Sequence, residues 1–411
     1  MKKLIFYIIT FFYFTITLFL IGSLSSCSQD SPKSPDPINE PKQSTVLIYA
    51  VATNSLTGNL VSDKNEILEA AVKIDLNKNN VLIFETQYKY LEDNTRVGDV
   101  NLLKLVKEEN QFSWECVKDF NDGIASLDPI RISEIISYVS DYYPAENYGL
   151  VFWSHSTASQ PYFETASKVL SSYSNEPSKV DLPMQYAFGQ DIPVGSGNPF
   201  YQINIDDLAE AIPDNFFDYI WFDSCYMSNI ETIYQFRNKC KTFVGYPTEV
   251  LDSGLPYQYV LPYMVGSDYD LTKAADAFYQ YYSYSFGTIA VIDMNKIESI
   301  ADFCRNVYQE GTEIKTSSLV RYSRNSTGPF YDFGDYTRAM AVANSGEGIT
   351  EEFEKVLNEA ILYKATTDGT LLGLSINKNS FSGISTHVYK FGEDDQKEQF
   401  YKSLDWFQSV F

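Results

Sequence analysis

The sequence predicts an α/β fold: a mostly parallel sheet with helices on both faces, followed by a helical C-terminal extension. Short, nearly continuous apolar runs recur along the chain, and such runs are typical of strands buried on both faces of a parallel sheet. Segments with helical spacing of apolar residues separate several of these runs, which favours parallel strands joined by right-handed crossovers. We expect one α/β domain over residues 45–293 and an α-rich region over residues 294–411 that packs on the same body.

Six apolar runs are the predicted strands: residues 45–51, 81–84, 148–153, 219–222, 242–246 and 288–292. The predicted helices are residues 59–76, 128–143, 295–310, 350–363 and 396–410, the last after a strand-like segment at residues 383–389. The helix at 128–143 has the clearest start, because Asp128 can cap it and Pro129 suits its first turn. Residues 156–199, between the third and fourth strands, are polar, and a loop of this length is usually functional or disordered.

Residues 1–26 have the pattern of a secretory signal peptide. Lys2 and Lys3 precede an apolar run, which ends in Leu-Ser-Ser followed by Cys27. This ending resembles the bacterial lipobox, so we expect lipidation at Cys27 and an exported protein anchored to the cell envelope. The alternative is an uncleaved transmembrane anchor, since the apolar run approaches the length of a bilayer span. Ser28 is compatible with the outer membrane and with display on the cell surface.

Residues 27–44 are rich in Pro, Ser, Asp and Lys, with almost nothing apolar to bury, and we expect a disordered tether. The formal net charge of −23 repels nucleic acid and can favour basic peptides. Apart from Cys27, four cysteines are present without a CxxC pair, and there are only two histidines. We therefore expect neither a disulfide framework nor a His-rich metal centre. Nothing in the sequence indicates an oligomeric state.

His155 and Cys225 are the candidate reactive residues. His155 follows the third predicted strand, and Cys225 follows the fourth. Ligands bind beyond the carboxyl ends of the strands in open α/β sheets, so adjacent parallel strands would bring both side chains to one edge. An imidazole beside a thiol can remove its proton, and the thiolate is the nucleophile. A helix beginning near Tyr226 would add the favourable dipole of its amino terminus.

Each of these residues also has an ordinary structural explanation. A lone buried cysteine often behaves as a small hydrophobic residue, and a histidine at a strand end often serves as a hydrogen-bonded polar side chain. The residues by themselves leave both explanations open.

The chain resembles the clostripain family of cysteine peptidases, which are relatives of caspases, gingipains and legumains. Residues 217–227 are similar to the family's nucleophile segment, Phe-Asp-Ala-Cys-Leu-Met, and residues 148–155 resemble its strand ending in Trp-X-His-Gly. Further similarity lies in residues 46–49, Asn54, Leu56, residues 205–211, Glu231, Tyr234, Pro247, Glu249, Gly254, Pro256, Tyr257 and residues 404–407. The resemblance implies a caspase–hemoglobinase-like fold.

The resemblance also implies an endopeptidase that cleaves after Arg or Lys. Cys225 would be the nucleophile that forms a thioester acyl-enzyme, and His155 would be the catalytic imidazole. The backbone N–H groups of Cys225 and Ser156 would form the oxyanion hole. The chemistry requires no cofactor. Calcium is implied by the resemblance alone, and we name no ligands because the sequence has no Asp-x-Asp-x-Asp-Gly loop.

Three acidic residues are implied to bind the substrate. Asp223 would lie at the base of the P1 pocket, where a partly buried carboxylate selects Arg by charge and by bidentate hydrogen bonds. A structural or helix-capping aspartate is the alternative. Glu249 and Asp252 lie where the family lines its cleft. Self-cleavage within the polar stretch is implied as well, after Lys168 or Lys179.

Two residues depart from the family pattern. Ser156 replaces the glycine after the histidine, and Ser224 replaces the usual alanine. If that glycine needs a positive φ, a serine would distort the oxyanion hole. The alternative to an active peptidase is therefore a catalytically degenerate homologue that binds peptide or another ligand as a surface lipoprotein. A glycan-handling lipoprotein is a third function, and no paired-carboxylate motif supports it.

Overall fold

Parallel strands form the centre of one large sheet, as the apolar runs predict. The computed structural model describes residues 40–90, 96–156, 188–191, 201–323, 330–388 and 396–411. The predicted signal peptide, the predicted lipidation site Cys27 and the predicted cleavage sites Lys168 and Lys179 lie outside these residues.

The strands are, in chain order, β1 (Lys42–Val51), β2 (Asn79–Tyr90), β3 (Arg96–Glu108), β4 (Gln111–Asp119), β5 (Ala145–Trp153), β6 (Phe188–Asp191), β7 (Tyr201–Ile203), β8 (Phe217–Asp223), β9 (Cys240–Gly245), β10 (Thr288–Asp293), β11 (Phe330–Asp332), β12 (Ile361–Thr366) and β13 (Ser385–His387). The large sheet has the order β12-β10-β9-β8-β5-β1-β2-β3-β4. Its five central strands, from β9 to β2, are mutually parallel, and the outer strands are antiparallel. β6 pairs with β7, and β11 pairs with β13.

The helices are, in chain order, α1 (Thr57–Ala70), α2 (Pro129–Tyr142), α3 (Ile205–Glu210), α4 (Ile230–Gln235), α5 (Tyr257–Val260), α6 (Leu271–Tyr282), α7 (Ile297–Val307), α8 (Phe333–Ser345), α9 (Thr350–Ala360), α10 (Gln396–Ser403) and α11 (Asp405–Val410). α2 begins as predicted, because the Asp128 carboxylate accepts the amide hydrogen of Ile130 and Pro129 opens the first turn. Among the described residues, no helix has both the length and the apolar character needed to cross a bilayer.

Alternate side chains of the central strands belong to two separate hydrophobic cores, one on each face of the sheet. In β1, the odd-numbered residues from Leu47 to Val51 pack against α2, α3, α4 and the C-terminal helices α7, α8, α9 and α11. The even-numbered residues from Val46 to Ala50 pack against α1, α5 and α6. Burial on both faces explains why this strand is a continuous apolar run. The predicted α/β fold with helices on both faces is confirmed.

The C-terminal part of the chain contributes a strand to the large sheet. The helix predicted over residues 350–363 ends at Ala360, because Ile361 adopts an extended conformation and begins β12. β12 then pairs antiparallel with β10 at the edge of the sheet. β10 is itself antiparallel to β9, so the last of the six predicted strands does not extend the parallel core.

One hairpin was missed by the prediction, and one strand begins earlier than predicted. The hairpin of β3 and β4 was not predicted, and β4, the edge strand of the sheet, has only two buried residues among nine. β1 begins at Lys42, within the predicted tether, where the amide of Lys42 donates to Pro144 and its ammonium donates to Leu76 and Asn79 carbonyls. These bonds recruit three polar residues into the start of the strand.

Candidate active site

The pairing of β5 with β8 brings His155 and Cys225 to the same level at the carboxyl edge of the sheet. The two strands are parallel neighbours, and Trp153 pairs with Asp223 in their register. His155 and Cys225 each lie two residues beyond this pair. A direct contact joins the two strand ends, since the Ser156 hydroxyl donates to the carbonyl oxygen of Cys225 at 2.5 Å.

The imidazole of His155 is half-buried and contacts a serine from the loop after β1. Its Nε2 lies 2.9 Å from the Oγ of Ser55. The main-chain carbonyl of His155 accepts the amide hydrogen of Gly189, at 2.8 Å. Burial lowers the pKa of His155 below its ordinary value, and the nearby charge of Asp252 partly offsets this effect. The imidazole is therefore mostly neutral at pH 7.

The thiol of Cys225 is protonated at neutral pH in this structure. Its Sγ lies 3.8 Å from the carbonyl oxygen of Val250. Burial is the largest cause that raises the pKa of Cys225 to about 11, and the charges of Glu249 and Asp223 contribute to this value. A neutral thiol beside a neutral imidazole means that a proton has to be transferred before the sulfur can attack.

The expected helix beginning near Tyr226 is wrong. Tyr226 has a positive φ of 62°, and its amide donates to the carbonyl of Thr248, so the chain after Cys225 pairs with the segment following β9. α4 begins only at Ile230, where Asn229 caps it. The six-residue α4 therefore places no helix amino terminus directly at the sulfur.

Ser156 has ordinary backbone geometry, although it stands where the sequence pattern Trp-X-His-Gly has a glycine. It is not among the described residues with positive φ, and it forms an isolated antiparallel bridge with Phe188. Among the described residues, no backbone carbonyl accepts the amide hydrogen of Ser156 or of Cys225. The hydroxyl of Ser224 is buried and has no hydrogen-bond partner in the described part of the chain.

Asp223 is enclosed by the segment that follows β9. Its Oδ2 accepts the amide hydrogen of Leu255 at 3.0 Å, and its carboxylate also accepts longer hydrogen bonds from the hydroxyls of Tyr246 (3.3 Å) and Tyr257 (3.5 Å). Gly254 has a φ of 55°, and a Cβ there would lie 2.9 Å from Oδ2. Burial raises the pKa of Asp223 to about 7.

A second buried carboxyl group, Asp63 of α1, lies on the same face of the sheet as Asp223. The indole N–H of Trp153 donates to its Oδ2 at 2.8 Å. Burial raises the pKa of Asp63 to about 9, with further contributions from the charges of Asp223 and Glu66. At neutral pH this region therefore contains a protonated carboxyl group beside a partly ionised one.

The other predicted acidic residues lie on the segment after β9. Glu249 is buried and accepts a short hydrogen bond from the hydroxyl of Tyr226. Asp252 is exposed and lies near enough to His155 to influence its pKa. The structure thus brings Asp223, Glu249 and Asp252 around the strand ends that carry His155 and Cys225. Within the described residues, no group of three or more His, Cys, Asp or Glu side chains could hold a metal ion.

Ser55 and Asp63 were not among the site residues predicted from the sequence. Ser55 follows a predicted strand that neighbours the strand of His155, so the same rule of carboxyl strand ends would have found it. Asp63 lies on the buried side of α1 with Leu60 and Ile67, and an acidic residue at apolar helical spacing is a signal of a buried carboxyl group.

The chain is similar to known cysteine proteases over most of its length. The model of the clostripain family matches residues 48–180 and 187–405. A secreted C11 cysteine protease from Bacteroides thetaiotaomicron, solved in complex with an irreversible peptide inhibitor, is 25% identical, with a TM-score of 0.71. The match covers 90% of this chain and 98% of that chain.

A second solved structure is an inactive zymogen C11 protease from Parabacteroides distasonis. It is 28% identical, with a TM-score of 0.71, and the match covers 91% of this chain and 99% of that chain. Among curated proteins, none matches this chain by sequence.

Proposed function

Because this chain belongs to the clostripain family, we propose that it is a cysteine endopeptidase of the cell envelope that cleaves peptide bonds after Arg or Lys. The observation that supports this most strongly is the pairing of Trp153 with Asp223, which brings His155 and Cys225 to one edge of the sheet. The amides of Ser156 and Cys225 lie on these same strand ends, without backbone acceptors among the described residues. The proposed nucleophile, base and oxyanion donors therefore lie on adjacent strand ends.

In the proposed reaction, His155 accepts the thiol proton of Cys225 as the sulfur attacks the carbonyl carbon of the scissile bond. The amides of Ser156 and Cys225 stabilise the resulting oxyanion. The protonated His155 then donates its proton to the leaving amine, and a thioester acyl-enzyme remains. Water, deprotonated by the neutral imidazole, hydrolyses the thioester and returns the thiol.

The proposed P1 preference rests on Asp223. A guanidinium or ammonium group entering this pocket would exchange the long hydrogen bonds from Tyr246 and Tyr257 for a charge-assisted contact. Such a cation would also favour the ionised carboxylate, whose pKa burial raises to about 7. Glu249 and Asp252 would add negative charge along the cleft.

Three further properties belong to the same proposal. Lipidation at Cys27 would anchor the chain to the envelope by its acyl groups. Cleavage after Lys168 or Lys179 would process the chain. Calcium would affect activity as the family resemblance implies.

Metabolic labelling with an alkyne fatty acid, with Cys27→Ala as the control, tests the first of these properties, lipidation. Gel analysis of the wild type beside Cys225→Ala tests the second, because only the wild type should be cleaved.

The decisive experiment is hydrolysis of fluorogenic peptides by the full chain purified in detergent. Peptides with Arg, Lys or norleucine at P1 would be compared, in calcium or in chelator. Cys225→Ala should abolish turnover, whereas Cys240→Ala, at the opposite end of the neighbouring strand β9, should retain it. A Cys225→Ala protein that still cleaves would contradict the proposed nucleophile.

The alternative is a degenerate homologue that binds peptides without cleaving them. The raised pKa of Cys225 favours it, because the thiol at rest is protonated and less nucleophilic than a thiolate. An arginine-directed covalent inhibitor separates the two functions. An active enzyme would be modified at Cys225, whereas a binding protein would retain a free thiol there while still binding the peptide.

A further inference from the structure

Ser55 lies at the edge of the sheet that carries the proposed catalytic pair. It belongs to the loop between β1 and α1, and β1 is the parallel neighbour of β5, with Ala50 paired to Trp153. Its Oγ lies 2.9 Å from Nε2 of His155. Ser55 is exposed, so its hydroxyl could be hydrogen-bonded by water and does not need this contact.

The loop that carries Ser55 is held in place by the residue before it. The Asn54 side-chain amide donates to the carbonyl oxygens of Val51 (2.9 Å) and Gln190 (2.6 Å). Its Oδ1 accepts the amide hydrogen of Leu56 at 2.8 Å, which closes an Asx turn around Ser55. The hydroxyl of Ser55 therefore extends from a fixed backbone.

The histidine side of the contact is tied to the same elements. The Ser154 hydroxyl donates to the carbonyl of Val51 at 2.8 Å and accepts the amide hydrogen of Gln190 at 3.2 Å. The amide of Gly189 donates to the carbonyl of His155. β6 and Ser154 thus join the Ser55 loop to the end of β5, and the distance between Ser55 and His155 is fixed from both sides.

A neutral imidazole has one N–H donor and one acceptor nitrogen. To take the thiol proton, the nitrogen that faces this transfer has to be the acceptor. If Nε2 carries the hydrogen and donates it to Ser55, then Nδ1 is the acceptor nitrogen. After proton uptake both nitrogens are donors, and the serine oxygen still accepts from Nε2, so the contact persists in the imidazolium.

We propose that Ser55 is a positioning residue for His155: its oxygen accepts the Nε2 hydrogen and directs Nδ1 toward proton exchange with Cys225. The catalytic role of His155 and Cys225 in this proposal rests on the proposed function, whereas the contact between Ser55 and His155 does not. The thiol proton moves to Nδ1 as the carbon–sulfur bond forms, and it leaves with the amine. Asp252 is the titratable group whose charge acts on the imidazole.

Kinetics test the positioning role. Ser55→Ala should lower kcat about 10-fold with little change in KM, because only the proton transfer is affected. The limb of the pH profile that His155 governs should move to lower pH, since the imidazolium loses an acceptor. Ser55→Thr, which keeps the hydroxyl, should restore both. Ser62→Ala, an exposed serine on α1, is the matched control and should leave both unchanged. Equal activity and an unmoved limb in Ser55→Ala would overturn the proposal.

NMR tests the contact without requiring activity. The chain has only two histidines, so ring signals in a ¹³C,¹⁵N-histidine-labelled Cys225→Ala protein are few, and a His155→Gln variant assigns them. Adding Ser55→Ala should lower the pKa of His155 by about half a unit, whereas adding Ser62→Ala should not. An unmoved pKa would overturn the proposal even if the peptidase is active. A shifted pKa in a chain that cleaves no peptide would support the contact and contradict only the proposed peptidase.

Discussion

The hydroxyl of Ser156 donates a hydrogen bond to the main-chain carbonyl of Cys225, across the ends of two parallel strands. A glycine at this position would lack that bond. Because Ser156 does not adopt a positive φ, the serine fits without backbone strain. The substitution therefore replaces a flexible residue with a link between the segment after His155 and the nucleophile.

Replacing Ser156 with glycine should destabilise the protein and should not increase activity. The loss of one hydrogen bond and the added freedom of glycine together predict a decrease of about 1 kcal/mol or more in the free energy of unfolding. Urea denaturation measures it, and Ser156→Ala isolates the hydrogen-bond part. A Ser156→Gly protein with a clearly higher kcat/KM would show that the serine does impair the oxyanion hole.

The thiol of Cys225 should react slowly with iodoacetamide at neutral pH. Its raised pKa means that the thiolate fraction increases with pH toward about 11, so the alkylation rate should rise through this range without a plateau near pH 7. Mass spectrometry of the modified peptide follows the reaction, and Cys225→Ala gives the background from other cysteines. A fast rate that is constant from pH 6 to 8 would instead indicate a preformed thiolate.

Asp63→Asn should stabilise the protein more at pH 8 than at pH 4.5. The pKa of Asp63 is raised by burial from 3.8 to about 9, so its contribution to stability is fully present below pH 3.8 and is lost as the pH rises through about 9. Asparagine stays neutral and can still accept from Trp153. The gain in unfolding free energy should grow by at least about 1 kcal/mol between these pH values. Glu69→Gln, on the exposed side of α1, should show no such trend.

Asp223→Asn should selectively impair cleavage after basic residues. Removing the charge that faces a buried cation should lower kcat/KM for an Arg peptide about 30-fold or more, with a small effect on a norleucine peptide. In the wild type, kcat/KM for the Arg peptide should rise through about pH 7 as Asp223 ionises, and this rise should be absent in the variant. Asp302→Asn, on an exposed part of α7, is the control. Equal losses for both peptides would indicate that Asp223 is structural.

The central strands were predictable from the sequence because both of their faces are buried. Val46 to Ala50 and Leu47 to Val51 supply opposite cores, so the run has no polar interruption. β4 lies at the edge of the sheet, where most of its residues meet solvent, and its polar residues conceal the strand pattern. The end of α9 at Ala360 was not predictable either, since an apolar residue such as Ile361 is compatible with both a helix and a strand.

The candidate site was predictable where it follows from strand ends and not where it depends on distant contacts. His155 and Cys225 follow consecutive strands of the parallel core, and topology alone brings such residues together. The environment of Asp223 depends on the amide of Leu255, which lies in a loop without a recognisable local pattern. The absence of a helix at Tyr226 likewise follows from its pairing with Thr248, a tertiary contact.

The direction of β1 has a consequence for what the protein can reach. The chain enters the sheet at Lys42, and β1 has ten residues that run toward the edge carrying His155 and Cys225. At about 3.3 Å per residue, the entry point and the cleft are roughly 30 Å apart. A lipid attached upstream of Lys42 would therefore join the body at the end of β1 that is remote from the cleft. Attachment at that end would leave the cleft clear of the anchoring segment.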